Sequence, residues 1–586
     1  MSSKPKTVLS EKLERVTSSQ AFTWSPLPAK RKLAFTEKNQ TQPSQNSGNE
    51  ESGNKEPYYP NCDSEIWLRS CKQEVTEPLQ GETKGKIPTW LNGTLLRNGP
   101  GSLQAGENEF QHIFDGSALL HRFGINNGNV TYQCRFLQSE IYKKTCNANR
   151  LIITEFGTKA VTDPCQSIFQ RISTMFSLNA SASDNSLVSI YPFGDQVYAC
   201  GEMPFIHKID LQSLETLDRV DLHDQINIVI HTSHPHIMEN SSVYNLGLSL
   251  HASGPYHSVV CFPKTLEDSD QSMFDNAKIV ASIPARWPLH PSYMHTFGIT
   301  DNYFVIVEQP LSLSIPATLA LKVQNEPLSG AFRWYGNEYT QVNVVSRKTG
   351  EIVRTFQAET FFFLHIINQY EDSGHVVIDV CAYRDPSMLD CMYVETLKNM
   401  QSNPDYAKMF RGRPIRFVLP LNPQSQQIAG ESNLITLRNT QALAIYLPNG
   451  NIHVKAEKLC NLGCETPRIY YERYSGRKYR YFYAISSDVD AENPGAIIKV
   501  DTKEKTCRTW QQENCFPGEP IFVPSPQAKT EDDGLILSII LRGHGETNHV
   551  GLLIIDARTF EEIGRTEFQT DSPVPRCLHG WFFPRS

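Results

Sequence analysis

No stretch of this 586-residue chain reaches the eighteen or more consecutive apolar residues of a membrane-spanning helix. Its first residues, MSSKPKTVLSEKLERV, lack the apolar core of a secretory leader. There is no clustered basic face of the kind nucleic acid requires: 55 Lys and Arg stand against 63 Asp and Glu, a formal net charge of −8. The G-x-S-x-G elbow, the phosphate-binding P-loop and G-x-G-x-x-G are all missing, so neither a serine nucleophile nor a nucleotide cradle is indicated. The 14 cysteines form no paired metal motif. Cys460 and Cys464 in CNLGC have no second pair to complete a zinc site. Others, such as Cys261 and Cys381, stand inside apolar runs. With no leader, they read as reduced thiols of a cytoplasmic protein.

Helix periodicity is also scarce, and strands dominate. Residues 1–57 are polar, rich in Asn, Gln, Ser, Glu and Lys, and read as a disordered tail; Lys30, Arg31 and Lys32 form a short solvated basic run within it. Residues 58–586 read as one domain. WLNGTLLRNGPG (90–101) suggests a strand followed by a Gly/Pro turn, and FDGSALLHRFGINNGNVTYQCRF (114–136) two strands joined at Asn-Asn-Gly. His121 within this hairpin follows the period-two alternation and takes a structural role. A local pattern then recurs: an apolar strand ends in Asp or Ser, a short polar turn follows, and a second strand begins. It occurs at 207–220, 342–356, 497–510 and 553–568. Asp and Ser side chains close such turns by bonding the backbone two residues on. Further strands are expected from Leu151 (LIITEF), Tyr303, His375, Tyr479 and Gly534. Strand pairs at this spacing suggest an all-β propeller, with a large sandwich or barrel of ordinary hairpins as the alternative. Two helical stretches stand out. At 163–180, Ile168, Ile172 and Phe176 recur every four residues, with Phe169 and Met175 alongside. At 312–323, Pro316 interrupts an apolar segment. Either packs in the core or dips into one leaflet of a membrane.

A histidine in an apolar run is ordinarily a satisfied core residue. His365, in FFFLHIINQYEDSGHVVIDVCAY, has company: His234 in HTSHPHIMENSSVYNLG, His295 in PSYMHTFGITDNYFVIVEQPL, and His579 in CLHGWFFP. These lie far apart in the chain, and a propeller axis is where inner strands of different blades converge. Four neutral imidazoles suit a divalent transition metal, and a six-coordinate ferrous ion so held keeps two positions open for dioxygen. Metal-bound imidazoles need an acceptor for the other ring nitrogen. Glu202 in CGEMPF, Glu465 in CETPRIYY and Glu519 in PGEPIFVP lie near Pro in apolar surroundings, where a buried carboxylate requires a partner. On spacing alone, each reads first as a solvated loop carboxylate.

At these residues the chain resembles the carotenoid cleavage oxygenases, from about Tyr58 to the C-terminus. The resemblance implies a seven-bladed β-propeller, with helical and loop insertions capping an axial Fe(II) held by four His. The S/A-H-P-H turn places the first ligand at His234, MHTFG the second at His295, the His before Asn368 the third at His365, and the HG-aromatic motif the fourth at His579. Glu202, Glu465 and Glu519 fall where the family carries the carboxylates that orient ligand rings. FDGSALLH matches a family signature that gives Asp115 and Gly116 to the fold and leaves His121 outside the iron site. SALLHRF, HTSHPH, YMHTFG, FFFLHIIN, GCETPRIYYERY and VPRCLHGWFFP look like the insect branch, which joins cleavage to isomerisation. In one departure, Gly201 replaces a Thr or Ser before Glu202, removing a hydroxyl and widening the space there. The implied activity is O2-dependent cleavage of a carotenoid (zeaxanthin, lutein or β-carotene class) at the central 15,15′ bond, with 11-cis isomerisation of one half, for supply of visual chromophore. A retinyl-ester isomerohydrolase, a plain carotenoid oxygenase and a carotenoid-binding propeller without turnover are the alternatives. No nucleic acid or obligate protein partner is implied. Peripheral membrane contact is expected at the patch around Cys165, itself a lipidation candidate.

Overall fold

The computed structural model describes residues 56–161, 182–265, 272–422, 432–492 and 494–585. The 1–57 tail lies almost entirely outside the described residues, as does the stretch around Cys165 with Ile168, Phe169, Ile172, Met175 and Phe176. Among the described residues, packing begins at Tyr59, which is buried and whose amide bonds the Gln401 side chain at 2.9 Å.

The recurring turns are hairpins, each built by the same chemistry. Asp210 Oδ1 accepts from the amides of Gln212 and Ser213, Asp501 Oδ1 from Lys503 and Glu504, and Asp556 Oδ1 from Arg558 and Thr559. Ser346 Oγ accepts from Thr349. In each turn the fifth residue returns with positive φ: Leu214, Gly350, Lys505 and Phe560. Two hairpins instead close through two residues of positive φ, Asn127-Gly128 and Ser373-Gly374, the geometry that matches strand twist.

These hairpins assemble into seven sheets of four to six strands. Blade I contains Val75–Gln80, Asn129–Phe136, Ser117–Asn126, Gly93–Ser102 and, at its edge, His579–Pro584. Blades II to VII follow in chain order, starting from edge strands Ser189–Phe193, Ile228–His231 with His236–Ile237, Gly298–Ile299, Phe362–Asp372, Glu465–Arg468 and Cys515–Pro517 with Ile521–Pro524. The seven-bladed propeller is therefore what the chain forms, and both ends of the described chain close it. His579–Pro584 pairs with Gly93–Asn98, while Glu82–Gly85 becomes the outermost strand of blade VII against Glu562–Gln569. Gly580 is required at this seam, since a Cβ there would lie 2.0 Å from the Leu96 carbonyl oxygen.

Faces of neighbouring blades pack together, so central strands are apolar on both sides. All nine residues of His375–Tyr383 are buried. The one carboxylate among them, Asp379, is matched by Arg416 Nε and Nη2, both at 2.8 Å, and by Tyr479 OH at 2.5 Å from the next blade.

Three local readings differ from the structure. The segment 151–156, expected as a strand, is irregular: its apolar side chains Ile152, Ile153 and Phe156 face a cavity instead of a neighbouring strand. Pro316 does not interrupt a helix but stands in the first turn of Ile315–Gln324, where its missing N–H costs nothing; Ser314 Oγ caps that helix by accepting from Ala317. The strand beginning at Gly93 runs through Asn98-Gly99-Pro100-Gly101 to Ser102 without turning.

Candidate metal centre

The sequence-predicted histidines meet at the propeller axis. His234 sits in the break between the two edge segments of blade III, and His295 just before Gly298–Ile299 of blade IV. His365 lies on the edge strand of blade V and His579 on that of blade I. One ring nitrogen from each lies within 4.8 Å of all the others. His234 Nε2 and His295 Nε2 are 3.1 Å apart, and His365 Nε2 and His579 Nε2 are 3.2 Å apart.

The opposite ring nitrogens define the tautomers. His295 Nδ1 donates to Glu202 Oε1 at 2.6 Å, His365 Nδ1 to Glu465 Oε2 at 2.5 Å, and His579 Nδ1 to Glu519 Oε1 at 2.8 Å. A carboxylate accepts only, so the proton stands on Nδ1 and a lone pair on Nε2. His234 Nδ1 faces the Tyr191 hydroxyl at 3.2 Å. Inward-facing lone pairs about 3 Å apart repel unless a cation lies between them. Nitrogens at right angles around a metal with bonds of about 2.1 Å are about 3 Å apart, so this donor set fits a transition-metal ion. Burial reinforces it: His579 is pushed down to about 4 and His234 well below the ordinary histidine range, so both are neutral donors at neutral pH.

The carboxylates are supported unequally. Glu202 also accepts from Tyr293 OH at 2.6 Å. Glu465 accepts from the Thr466 amide at 2.9 Å, and although burial opposes its charge, His365 and these hydrogen bonds hold it below the usual carboxylate range. Glu519 is clamped. Its Oε1 accepts from Arg468 Nε at 2.8 Å and its Oε2 from the Gly580 amide at 3.0 Å, with the Arg97 guanidinium also on Oε2. Burial would raise its pKa, but Arg468 and Arg97 overcome that and hold it well below the carboxylate range.

Other sequence candidates fall outside. His121 is buried against Tyr132 OH at 2.9 Å, as expected of a structural residue. His236, the second histidine of HPH, bonds the Phe297 carbonyl at 2.9 Å. Cys464 meets Cys381, with sulfurs 3.2 Å apart, and joins no metal cluster among the described residues. Sequence reasoning missed Tyr191, Tyr293, Arg97 and Arg468. The last two carried a signal: Arg97 interrupts the apolar run TLLRNG, and Arg468 stands three residues after Glu465 in ETPR.

A cavity of about 1520 Å³ opens onto three of these imidazoles, well above the roughly 300–1,000 Å³ of ordinary ligand pockets. His295, His365, His579 and the three Glu form one wall; Phe332, Leu364, Met388, Leu389, Met392 and Phe410 make much of the rest apolar. The last four come from the 387–410 insertion of short helices, which with Ile315–Gln324 forms the expected cap. Gly201 lies on the wall, where a Cβ would come 3.3 Å from the Asn185 carbonyl oxygen and the Ser186 Cα, so the 185–186 backbone packs close against the glycine and the expected widening is not seen.

A seven-bladed propeller with a four-histidine axis under an apolar cavity defines a class, and the sequence comparison gives the family: the chain belongs to the retinal pigment epithelial membrane protein family, whose model matches residues 68–584. Within it, the chain is 53% identical to a carotenoid isomerooxygenase of Galleria mellonella (90% of this chain, 98% of the relative) and 47% identical to one of Drosophila melanogaster (90% and 94%). It is 38% identical to the β,β-carotene 15,15′-dioxygenase of Gallus gallus (88% and 97%). The expected resemblance to the insect branch is thus found. Among solved structures, Synechocystis apocarotenoid oxygenase shares the fold. Its cobalt-substituted form superposes with a TM-score of 0.67 at 22% identity, over 89% of this chain and 99% of that one.

Proposed function

We propose that the protein is a ferrous-iron dioxygenase that cleaves a carotenoid at the central 15,15′ double bond and isomerises one half to the 11-cis form. The observation that carries this reading is the convergence of four imidazoles beside a large apolar cavity, three of them on its wall. The names borne by the insect and vertebrate relatives support the substrate and the bond. His234, His295, His365 and His579 would hold the iron, which when bound supplies dioxygen binding and activation. Overall, one O2 and one C40 polyene give two C20 aldehydes, each taking one oxygen atom. The side chains do the rest. Glu202, Glu465 and Glu519 fix the ring tautomers and raise ligand basicity. The cavity wall holds the polyene in one register and excludes water. No side chain is assigned as a general base.

Aerobic incubation of the Fe(II) protein with zeaxanthin in micelles, followed by HPLC, is expected to give C20 3-hydroxy aldehydes with a large 11-cis share. All-trans products alone would remove the isomerase half of the reading. No cleavage with iron present would overturn it in favour of retinyl-ester chemistry.

The substrate would enter from a membrane surface. Among the described residues no helix is long and apolar enough to cross a bilayer. The helix Ile315–Gln324 buries none of its side chains, exposing Leu319 at 55% and Val323 at 61%, and Leu319, Leu321 and Lys322 border the cavity. An apolar face beside a cavity opening, next to a cation, suits peripheral docking on lipid. A Leu319→Ser/Val323→Ser protein should lose most of its recovery with liposomes in flotation; undiminished recovery would refute this role.

A further inference from the structure

The cavity holds a cation that the histidine site does not use. Arg576, three residues before His579, lines it beside Cys62, Trp67 and Phe516. The two other arginines near the axis, Arg97 and Arg468, both rest on Glu519. Arg576 has no such support. Its Nη2 donates to the Pro517 carbonyl at 2.9 Å and its guanidinium lies 4.7 Å over the Trp67 ring, and it makes no salt bridge with any of the described residues. Asp63 borders the same region but is committed elsewhere: its Oδ1 accepts from the Glu65 amide and its Oδ2 from the His544 amide. Burial pulls Arg576 down to about 10, and the nearby Arg97 adds to that pull, yet it remains charged at neutral pH. A guanidinium carries five donor hydrogens, and one carbonyl satisfies one of them. A half-buried guanidinium on an apolar wall turns its remaining donors toward the cavity, where an acceptor on the ligand can meet them.

The substrate class proposed above contains such an acceptor only in its oxygenated members. A carotene is all hydrocarbon. A hydroxylated carotenoid carries oxygen on its end rings, remote from the central bond, and the aldehyde oxygens are created at the cut and not at the rings. We propose that Arg576 is a specificity-determining residue that receives the ring hydroxyl of a hydroxylated carotenoid, anchoring one end of the polyene and thereby its register across the histidine cluster. This inference rests on the carotenoid reading of the cavity.

Binding and turnover separate the two. Metal-free wild-type protein is titrated with zeaxanthin and with β-carotene in the same detergent, following tryptophan fluorescence, and Arg576→Met and Arg576→Lys are treated alike. A hydrogen bond to a charged donor corresponds to roughly ten- to a hundredfold in affinity. The wild type should therefore bind zeaxanthin at least about tenfold more tightly than β-carotene. The ratio should collapse in Arg576→Met and be partly restored in Arg576→Lys, and with Fe(II) protein the change should fall on KM. A ratio unaltered by Arg576→Met, or equal weakening toward both carotenoids, would overturn the assignment; the latter would mark Arg576 as packing for Trp67. Wild-type binding of both without cleavage of either would refute the oxygenase reading while the binding ratio still decides Arg576.

Discussion

A His365→Ala protein is expected to purify folded, to retain less than a tenth of wild-type metal, and to cleave no carotenoid. His365 lies on the edge strand of blade V, and its Nε2 reaches the axis because Phe361, Phe362 and Phe363 lock that strand by burial on both faces. Removing the ring deletes one of four converging donors and leaves a buried carboxylate, Glu465, without its imidazole partner, held by the Thr466 amide and the Tyr383 hydroxyl. Both effects act against the bound state. The loss of one ligand removes part of the metal affinity directly, and the orphaned carboxylate relaxes the blade V to blade VI seam. His121→Ala is the matched control. That ring is as deeply buried, but its partner is Tyr132, so its loss should lower the denaturation midpoint while metal content stays stoichiometric. Elemental analysis after gel filtration reads both outcomes. Full metal occupancy with cleavage intact in the His365→Ala protein would sink the assignment of the axis as the metal site.

The sequence carried most of the fold and all four imidazoles for a specific physical reason. Hairpin turns closed by Asp or Ser side chains are local, so Asp210, Ser346, Asp501 and Asp556 announce their turns within four residues. The histidines were legible as a set because an imidazole inside an apolar run is unusual, and four of them ask for a common explanation. What stayed hidden is non-local. The pairing of Glu519 with Arg97 joins blade VII to blade I across 422 residues and leaves no spacing to read. Tyr191, facing His234, looks like any core tyrosine in SIYPF. The segment 151–156 shows the opposite failure: β-branched residues suggested a strand, but a cavity large enough for a polyene also needs an apolar wall, and composition cannot tell a wall from a sheet. Pro316 misled because the same residue that breaks a helix interior is welcome in its first turn.

Glu519→Gln should be the most damaging of the three carboxylate changes, more so than Glu202→Gln or Glu465→Gln. The reason is charge, not hydrogen-bond count. Glu519 stands between the two edge segments of blade VII and is almost fully buried, as is Arg97, with Arg468 close by. Every group pointing at its oxygens is a donor: His579 Nδ1, Arg468 Nε, Arg97 and the Gly580 amide. Glutamine offers one acceptor oxygen and an NH2 group that would face donors with nothing to bond. Two guanidiniums lose their counter-charge in a dry seam, a situation that costs about 3–5 kcal/mol when a buried pair is broken. Glu202, by contrast, is partly exposed and faces the His295 imidazole and the Tyr293 phenol with no guanidinium on its oxygens, so its amide loses much less. The site suffers with the seam. His579 is held by Glu519 and by its strand partner Asn98 across the closing pair of blade I, so a loosened blade VII displaces a metal donor as well as a structural tie. Metal affinity should fall about 10–100-fold, as for loss of other carboxylates behind metal-bound histidines. Urea unfolding with and without added Fe(II) under anaerobic conditions separates the two effects. The midpoint of the metal-free protein should drop, and added metal should restore less of it than in the wild type. A metal-free midpoint equal to the wild type would mean that the two arginines are satisfied without Glu519, and the account of the clamp given by these contacts would be wrong.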